Sequence, residues 1–311
     1  MLQPHATLPA VLLGALFAAH CLAGPGDIRT QLISGHGDVP LNVVQAGNPQ
    51  HRSIIFIHGL GQSHLSWMRQ LGSDLADNFH LVAYDLRGHG NSGKPWRAED
   101  YAAPDTWAKD LTQVMRATGA ENPLVVAWSY GTFVAVDYLA SGGTAPIAGL
   151  VMVGGLGGLS RPTSTPGQAD AERGKRISDR RQSELLSENF AAGDEIMRFF
   201  MRGEITDRRW MRDNAAANAL LPPYARPLIV QRSFDHSDEI PRVDIPTLLV
   251  VGSEDPLLTP EDANALSARL PQASVSVFDG SGHLPFAESP DRFNAELTVF
   301  ANRVFDDGRT E

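Results

Sequence analysis

The sequence predicts an α/β fold in which a mostly parallel sheet is covered by helices. Short, continuous apolar runs rich in β-branched residues occupy residues 53–57 (SIIFI), 81–84 (LVAY), 124–127 (LVVA), 150–153 (LVMV) and 247–251 (TLLVV), and read as strands buried on both faces. Stretches with helical spacing, residues 66–75, 104–118, 133–139 and 260–270, alternate with them. Strand followed by helix, repeated, is the pattern of parallel strands joined by helical crossovers.

The elements follow in order. Two alternating stretches, IRTQLIS and LNVVQA, flank Gly35-His36-Gly37-Asp38 and predict a β-hairpin ahead of the parallel strands. The alternation continues to residue 158 and then stops. From residue 159 to 242 no β-branched apolar run occurs, and the segment holds 14 of the chain's 26 basic residues and 13 of its 36 acidic ones. Its net charge is about +1 against −11 for the rest, a composition shift that marks a separate helical lobe. Within the lobe Ile196, Phe199 and Phe200, with Met197 and Met201, form an i, i+3, i+4 apolar face. After TLLVV, Val275-Ser-Val-Phe278 reads as the last strand.

Composition excludes several functions. With 311 residues, 42% of them hydrophobic and 20% charged, the chain is globular rather than disordered. A formal net charge of −10 argues against nucleic-acid binding, which needs clustered Lys and Arg, and favours a small-molecule substrate. Cys21 is the only cysteine, so neither an intramolecular disulfide nor a zinc-thiolate site is expected. Residues 8–19 (LPAVLLGALFAA) form an apolar run too short for a bilayer, followed by small residues around Ala23. Residues 1–23 are therefore expected to be a signal peptide and the protein to be exported, with an uncleaved membrane anchor as the alternative. The cluster Gly154-Gly-Leu-Gly-Gly158 fails as a dinucleotide fingerprint, because its third glycine falls on Ser160, so no cofactor is expected.

Three loops carry groups that can do nucleophilic chemistry. Ala127-Trp128-Ser129-Tyr130-Gly131 sits where LVVA ends and a helical stretch begins, with small residues two positions either side of Ser129. That spacing lets a sharp strand-to-helix turn lift a serine out of the sheet edge. A serine hydroxyl needs a base, and the base needs a third group to orient it. Asp255, in Gly252-Ser-Glu-Asp-Pro256, follows the strand TLLVV, and His283, in Gly280-Ser-Gly-His283, follows the last strand. Glu254 and Asp279 are the rival acids. The oxyanion donors are expected to be the backbone N–H groups of Tyr130 and of Leu60, the latter in His58-Gly59-Leu60-Gly61 after SIIFI. His58 is expected to hold its own loop by a local hydrogen bond.

The motifs HGLGQSHLSW, YDLRGHGNSGKPW, AWSYGTFVAVDYL, GSEDPL and GSGHLPFAESP together resemble the α/β-hydrolase superfamily, over about residues 28–305. The resemblance extends to the branch that includes small esterases and cofactor-free haloperoxidases. It implies an α/β-hydrolase fold, with a mostly parallel eight-stranded sheet and a helical cap inserted after the sixth strand. Residues 24–158 and 243–311 would form the core and residues 159–242 the cap. It also implies a serine hydrolase cleaving an ester through an acyl-enzyme. Carbon-carbon bond hydrolysis or lactone opening on the same three residues, and a non-catalytic ligand-binding protein, are the alternatives. The sequence departs from the branch at Ala127, where Gly is usual, and at Thr132, where another Gly is frequent. In the cap, Phe199, Phe200, Trp210 and Met211 are expected to wall an apolar substrate pocket.

Overall fold

The computed structural model describes residues 28–143, 145–163, 168–203, 205 and 207–307; the expected signal segment lies outside them. Eight strands form one sheet: β1 (Arg29–Ser34), β2 (Pro40–Ala46), β3 (Ser53–Ile57), β4 (His80–Tyr84), β5 (Leu124–Trp128), β6 (Gly149–Val153), β7 (Thr247–Gly252) and β8 (Ala273–Phe278). Their order across the sheet is β1-β2-β4-β3-β5-β6-β7-β8. β2 pairs antiparallel with β1 and β4, and every other pairing is parallel.

The central strands are buried along their whole length because both faces are covered. Alternate residues serve opposite cores. Ile55, Ile57, Val125, Ala127 and Met152 face Trp107, Leu111, Val134 and Tyr138 of the helices Pro104–Thr118 and Tyr130–Ala140. Ile54, Phe56, Val126, Trp128 and Val153 face Trp67, Phe286, Phe293 and Phe300. The last two belong to a long closing helix, Pro290–Asp307. That helix was not among the expected elements, although Phe293, Leu297, Phe300, Ala301 and Val304 repeat at helical spacing. Each fully buried Leu, Ile, Val or Phe contributes roughly 1.5–3 kcal/mol.

Local chemistry explains where helices begin and end. Pro104 starts its helix and Gly119, at φ 67°, ends it, as the spacing predicts. The helix Pro260–Ser267 opens on a reciprocal cap between Thr259 and Asp262. The single helix expected over 66–75 is instead a 3-10 turn (His64–Trp67) and two short turns, Met68–Leu71 and Leu75–Asn78. The break falls at Gly72 and Ser73, where the Ser73 hydroxyl donates to Gln70 O at 2.7 Å and accepts from Leu75 N at 3.3 Å. Such local bonds compete with the helical ladder. Between β6 and β7 lie the helices Gln168–Arg180, Leu186–Phe200, Arg208–Ala219 and Ala225–Val230.

One buried ion pair ties the hairpin to the sheet. Arg87, in the loop after β4, donates from Nε and Nη2 to the two oxygens of Asp110 at 2.7 Å each, and from Nη2 to His36 O at 3.0 Å. Asp110 also accepts from His36 N at 2.8 Å. Both side chains are 1% exposed. Asp110→Ala is expected to leave the Arg87 charge buried and unpaired, at roughly 3–5 kcal/mol. Urea unfolding should then show a lowered midpoint with an unchanged slope.

Candidate active site

Ser129 is the whole connection between β5 and the helix Tyr130–Ala140, and it turns at φ 52°, ψ −116°. A non-glycine residue in such a conformation stores on the order of 1–3 kcal/mol, so its surroundings must hold it. Ser129 N donates to Val153 O at 2.9 Å, and Ser129 O accepts from Thr132 N at 3.0 Å and from the Thr132 hydroxyl at 2.6 Å. Thr132 thus adds a hydrogen bond that a glycine there could not, and its hydroxyl accepts from Gly157 N at 3.1 Å. At Gly131 a Cβ would lie 2.6 Å from Ile57 O and 2.9 Å from His58 O, so only glycine lets the helix start so close to β3. Ala127 is fully buried against the neighbouring strands, and its methyl fits.

Asp255 and His283 meet at the same edge of the sheet. His283 Nδ1 donates to Asp255 Oδ2 at 2.8 Å, and Leu257 N donates to Asp255 Oδ1 at 2.8 Å. With Nδ1–H held by the carboxylate, Nε2 keeps its lone pair. It is buried and has no hydrogen-bond partner. Glu254 and Asp279 are exposed and do not reach the ring. Gly154, at φ 56°, is where a Cβ would lie 2.9 Å from His283 Nδ1, so the end of β6 is kept bare for the imidazole.

The histidine loop is fixed from three sides. Trp128 Nε1 donates to His283 O at 2.9 Å, and His283 N donates to Phe200 O at 2.7 Å. The Phe200 ring lies 4.6 Å from the imidazole. The Glu288 carboxylate accepts from Gly282 N at 3.0 Å and Leu284 N at 3.3 Å, and also from Arg202 N at 2.9 Å and Gly203 N at 2.6 Å. One side chain therefore joins the loop carrying His283 to the chain leaving the helix Leu186–Phe200.

The loop after β3 is equally constrained. Gly59 O accepts from His58 Nδ1 at 2.8 Å and from Gln62 N at 3.1 Å. A trans peptide points its N–H opposite its carbonyl, so these bonds fix the direction of the Leu60 N–H. Leu60 O accepts from Arg181 Nη2 at 3.0 Å. His58 Nε2 accepts from Leu86 N at 3.0 Å, and burial pulls this histidine down to about 4.

Ser129 and His283 open on one cavity of about 530 Å³. Its apolar walls are Phe133, Leu156, Phe234, Leu257 and Leu258, and an Arg161–Asp235 ion pair of 3.0 Å lies exposed at its lip. The four residues expected to wall it stand elsewhere. Phe199 is buried against Ile177, Ala192 and Ile196, inside the helical segment itself. Trp210 is buried against the sheet-side core and donates to Ser66 O at 3.3 Å. Met211 lines a separate cleft with Arg198, Arg202 and Arg208, and Phe200 packs tilted against His283 without lining the cavity. The apolar face of the helix was legible in the sequence, but it is spent on packing. Phe133 could have been found, lying four residues after Ser129 on the same helix face. Leu257 and Leu258 follow Asp255 closely, whereas Phe234 reaches the cavity only through the fold.

The model of the alpha/beta hydrolase family matches residues 54–296. The chain belongs to that family. The hydrolase is 26% identical over 251 residues to the AB hydrolase superfamily protein YisY of Bacillus subtilis (strain 168), covering 81% of this chain and 92% of the relative. It is 26% identical over 265 residues to the non-heme chloroperoxidase CPO-A1 of Kitasatospora aureofaciens, covering 82% and 94%. The crystal structure of the esterase RhEst1 from Rhodococcus sp. ECU1013 superposes with a TM-score of 0.78 at 27% identity, covering 88% of this chain and 99% of that one. The eight-stranded, mostly parallel sheet with flanking helices is the α/β-hydrolase fold.

Two outcomes are expected for this hydrolase. His58 and His80 are buried, and burial pulls both to about 4, helped at His80 by the nearby Arg29 and His51 charges. The unfolded chain takes up these protons near 6.5. Stability is therefore complete above pH 6.5 and falls as the pH drops from 6.5 to about 4, by roughly 3 kcal/mol for each histidine. Urea midpoints measured across that window should trace the loss. Glu288→Ala should leave the N–H groups of the buried residues Gly282 and Leu284 unmatched, at roughly 1–3 kcal/mol. Amide exchange should then quicken at residues 202–203 and 282–284 together.

Proposed function

We propose that the protein is a serine esterase that cleaves a carboxylic ester with an apolar acyl or alcohol group through an acyl-enzyme. The observation that carries this reading is the 2.8 Å contact between His283 Nδ1 and Asp255, which leaves Nε2 unpartnered on a residue that lines the same cavity as Ser129. Asp255 holds the imidazole in the tautomer that can accept a proton at Nε2. That nitrogen takes the Ser129 hydroxyl proton as Oγ attacks the ester carbon, and the carbonyl oxygen becomes an oxyanion. The backbone N–H groups of Leu60 and Tyr130 are the donors for it. Support for Leu60 comes from the hydrogen bonds that fix the peptides on either side of it. Collapse expels the alcohol, protonated by His283, and leaves Ser129 acylated. Water, deprotonated in turn by His283, attacks the acyl carbon; the bond to Ser129 Oγ breaks, Oγ takes the proton back from His283, and the acid is freed.

The walls formed by Phe133, Leu156, Phe234, Leu257 and Leu258 carry no charge, which favours a neutral substrate group of modest size. The segment of residues 159–242 acts as a cap: the chain leaving its helix Leu186–Phe200 positions the histidine loop, and the stretch after its helix Ala225–Val230 supplies Phe234 to the wall. Similarity to the esterase RhEst1 is consistent with ester cleavage. The apolar run at residues 8–19 adds export to the reading. Among the described residues no helix is long and apolar enough to cross a membrane.

Incubation with a fluorophosphonate should place the adduct on Ser129, as located by peptide mass spectrometry, and His283→Ala should abolish it. Ser129→Ala should lower turnover of 4-nitrophenyl butyrate by on the order of 10⁴-fold or more. Undiminished turnover in that variant would reject the assignment. Intact mass of the exported protein should correspond to a chain beginning at Gly24.

A further inference from the structure

The helical segment between β6 and β7 carries a second concavity, apart from the cavity that Ser129 and His283 line. It is a cleft of about 810 Å³ between the helices Leu186–Phe200 and Arg208–Ala219 and the chain that joins them. That volume lies in the range of small-molecule sites, roughly 300–1,000 Å³. Four arginines line it, Arg198, Arg202, Arg208 and Arg212, against a single carboxylate of the described residues, Asp194. Beside them the wall is apolar, with Phe190, Met201, Ile205 and Met211. Phe190 is 44% exposed, and both methionines are half-buried.

The charges of the cleft are only partly answered within the protein. Arg198 Nε donates to Asp194 at 2.8 Å, and Arg212 lies 3.2 Å from Asp213, a carboxylate it shares with Arg209 at 3.5 Å. Arg202 Nη1 donates only to carbonyl oxygens, Phe199 O at 2.8 Å and Met201 O at 3.0 Å. Among the described residues no carboxylate lies within ion-pair distance of the Arg202 or Arg208 guanidinium. Asp207, next to Arg208 in the chain, is engaged elsewhere: it accepts from Trp210 N at 2.9 Å and lies 3.8 Å from Arg69. The cleft is thus cationic on a chain whose formal net charge is −10. A guanidinium keeps its charge and presents paired N–H donors that match a carboxylate. Methionine side chains adapt to the shape of an apolar chain laid against them.

We propose that this cleft binds one anionic amphiphile, an alkyl chain ended by a carboxylate. The carboxylate is held by the arginines, Arg208 foremost because it has no other partner, and the chain lies on Met201, Ile205, Met211 and Phe190. Charge and apolar surface meet here in a concavity, which suits a single molecule rather than the face of a bilayer. Binding there is independent of the chemistry assigned to Ser129, but the backbone joins the two places. Arg202 N and Gly203 N donate to the Glu288 carboxylate, which also accepts from Gly282 N and Leu284 N. A ligand that stiffens residues 201–205 therefore steadies the histidine loop as well.

Sodium decanoate, kept below its micelle concentration, is titrated into the full chain while amide exchange is followed by mass spectrometry. Exchange should slow saturably at residues 201–205 and 208–212, and with them at 282–284. Arg208→Gln, at an exposed position, should weaken this protection roughly tenfold in decanoate concentration. Added sodium chloride should weaken it in the wild type. Acetate, which has the charge without the chain, and decyltrimethylammonium, which has the chain without the anion, should protect neither segment. Equal protection of wild type and Arg208→Gln, or protection by decyltrimethylammonium, overturns the proposal. So does protection confined to residues 154–158, which wall the catalytic cavity. Binding to phosphatidylglycerol vesicles without any response to monomeric decanoate also overturns it, since the face would then be a membrane surface. Should Arg208→Gln fail to fold, Met211→Glu places a negative charge on the apolar wall in its stead, and undiminished protection in that variant overturns the site.

Discussion

The backbone of Ser129 is the constraint on which the site depends. A strand that runs straight into a helix can present a side chain above the sheet edge only by turning within one residue, and for a serine that means φ 52°. The strain is tolerable because every neighbour is built around it. Val153 and Thr132 satisfy the Ser129 backbone, and Gly131 yields to the carbonyls of Ile57 and His58. The parallel register that aligns Ile57 with Ala127 and Trp128 with Val153 brings these partners to the same height. Sheet register and serine exposure are in this sense one property.

The helical segment between β6 and β7 enters the site through its backbone more than through its side chains. Phe200 O accepts the His283 N–H, and the N–H groups of Arg202 and Gly203 share the Glu288 carboxylate with Gly282. From the sheet side, Trp128 Nε1 holds His283 O. The imidazole is thus clamped between the strand that carries Ser129 and a segment that the core alone would not supply. A loop anchored in this way holds the ring in one orientation with little further loss of entropy, which the proposed proton transfers require.

Much of this was legible because strands buried on both faces cannot hide their pattern. The apolar runs at 53–57, 124–127 and 150–153 match β3, β5 and β6 to within a residue at either end, since strands covered on both faces take almost wholly apolar side chains, and the one polar side chain among them, Ser53, is matched by His80 Nδ1 at 3.1 Å. The placement of Ser129, Asp255 and His283 in the turns after β5, β7 and β8 was legible for a related reason: turn glycines and the ends of apolar runs mark where those turns begin. The pocket walls were not. Phe199 and Trp210 show an apolar helix face, and sequence gives the face without its partner, which is the interior of the helical segment for one and the sheet-side core for the other. Phe234 comes from the chain returning to β7, and only tertiary packing brings it beside Phe133, ring centroids 4.7 Å apart. The broken helix at 66–75 hid for a smaller reason, the Ser73 hydroxyl bonds that end its first turn.

The buried arginines show how charge organises the regions that the hydrophobic pattern leaves unspecified. Arg232 lies under the cavity wall, donating to Asp137 at 2.6 Å and to the Tyr130 hydroxyl at 3.1 Å, while its guanidinium carbon sits 5.0 Å from the Phe234 ring centroid. Asp137 also lies 3.1 Å from His236 Nε2, and His236 N donates to Gly158 O at 3.0 Å. This network fastens the return from the helical segment to the helix that begins at Tyr130, with charges balanced within the protein. Arg181 fastens the same segment to the loop after β3 through Leu60 O, and Arg226 donates within the segment to Asn218, so the acceptors here are neutral oxygens. The first fastening pairs opposite charges and the second sets a charge against a carbonyl oxygen. A buried pair is screened little by salt, whereas a buried charge without an opposite one carries the desolvation cost of its burial uncompensated.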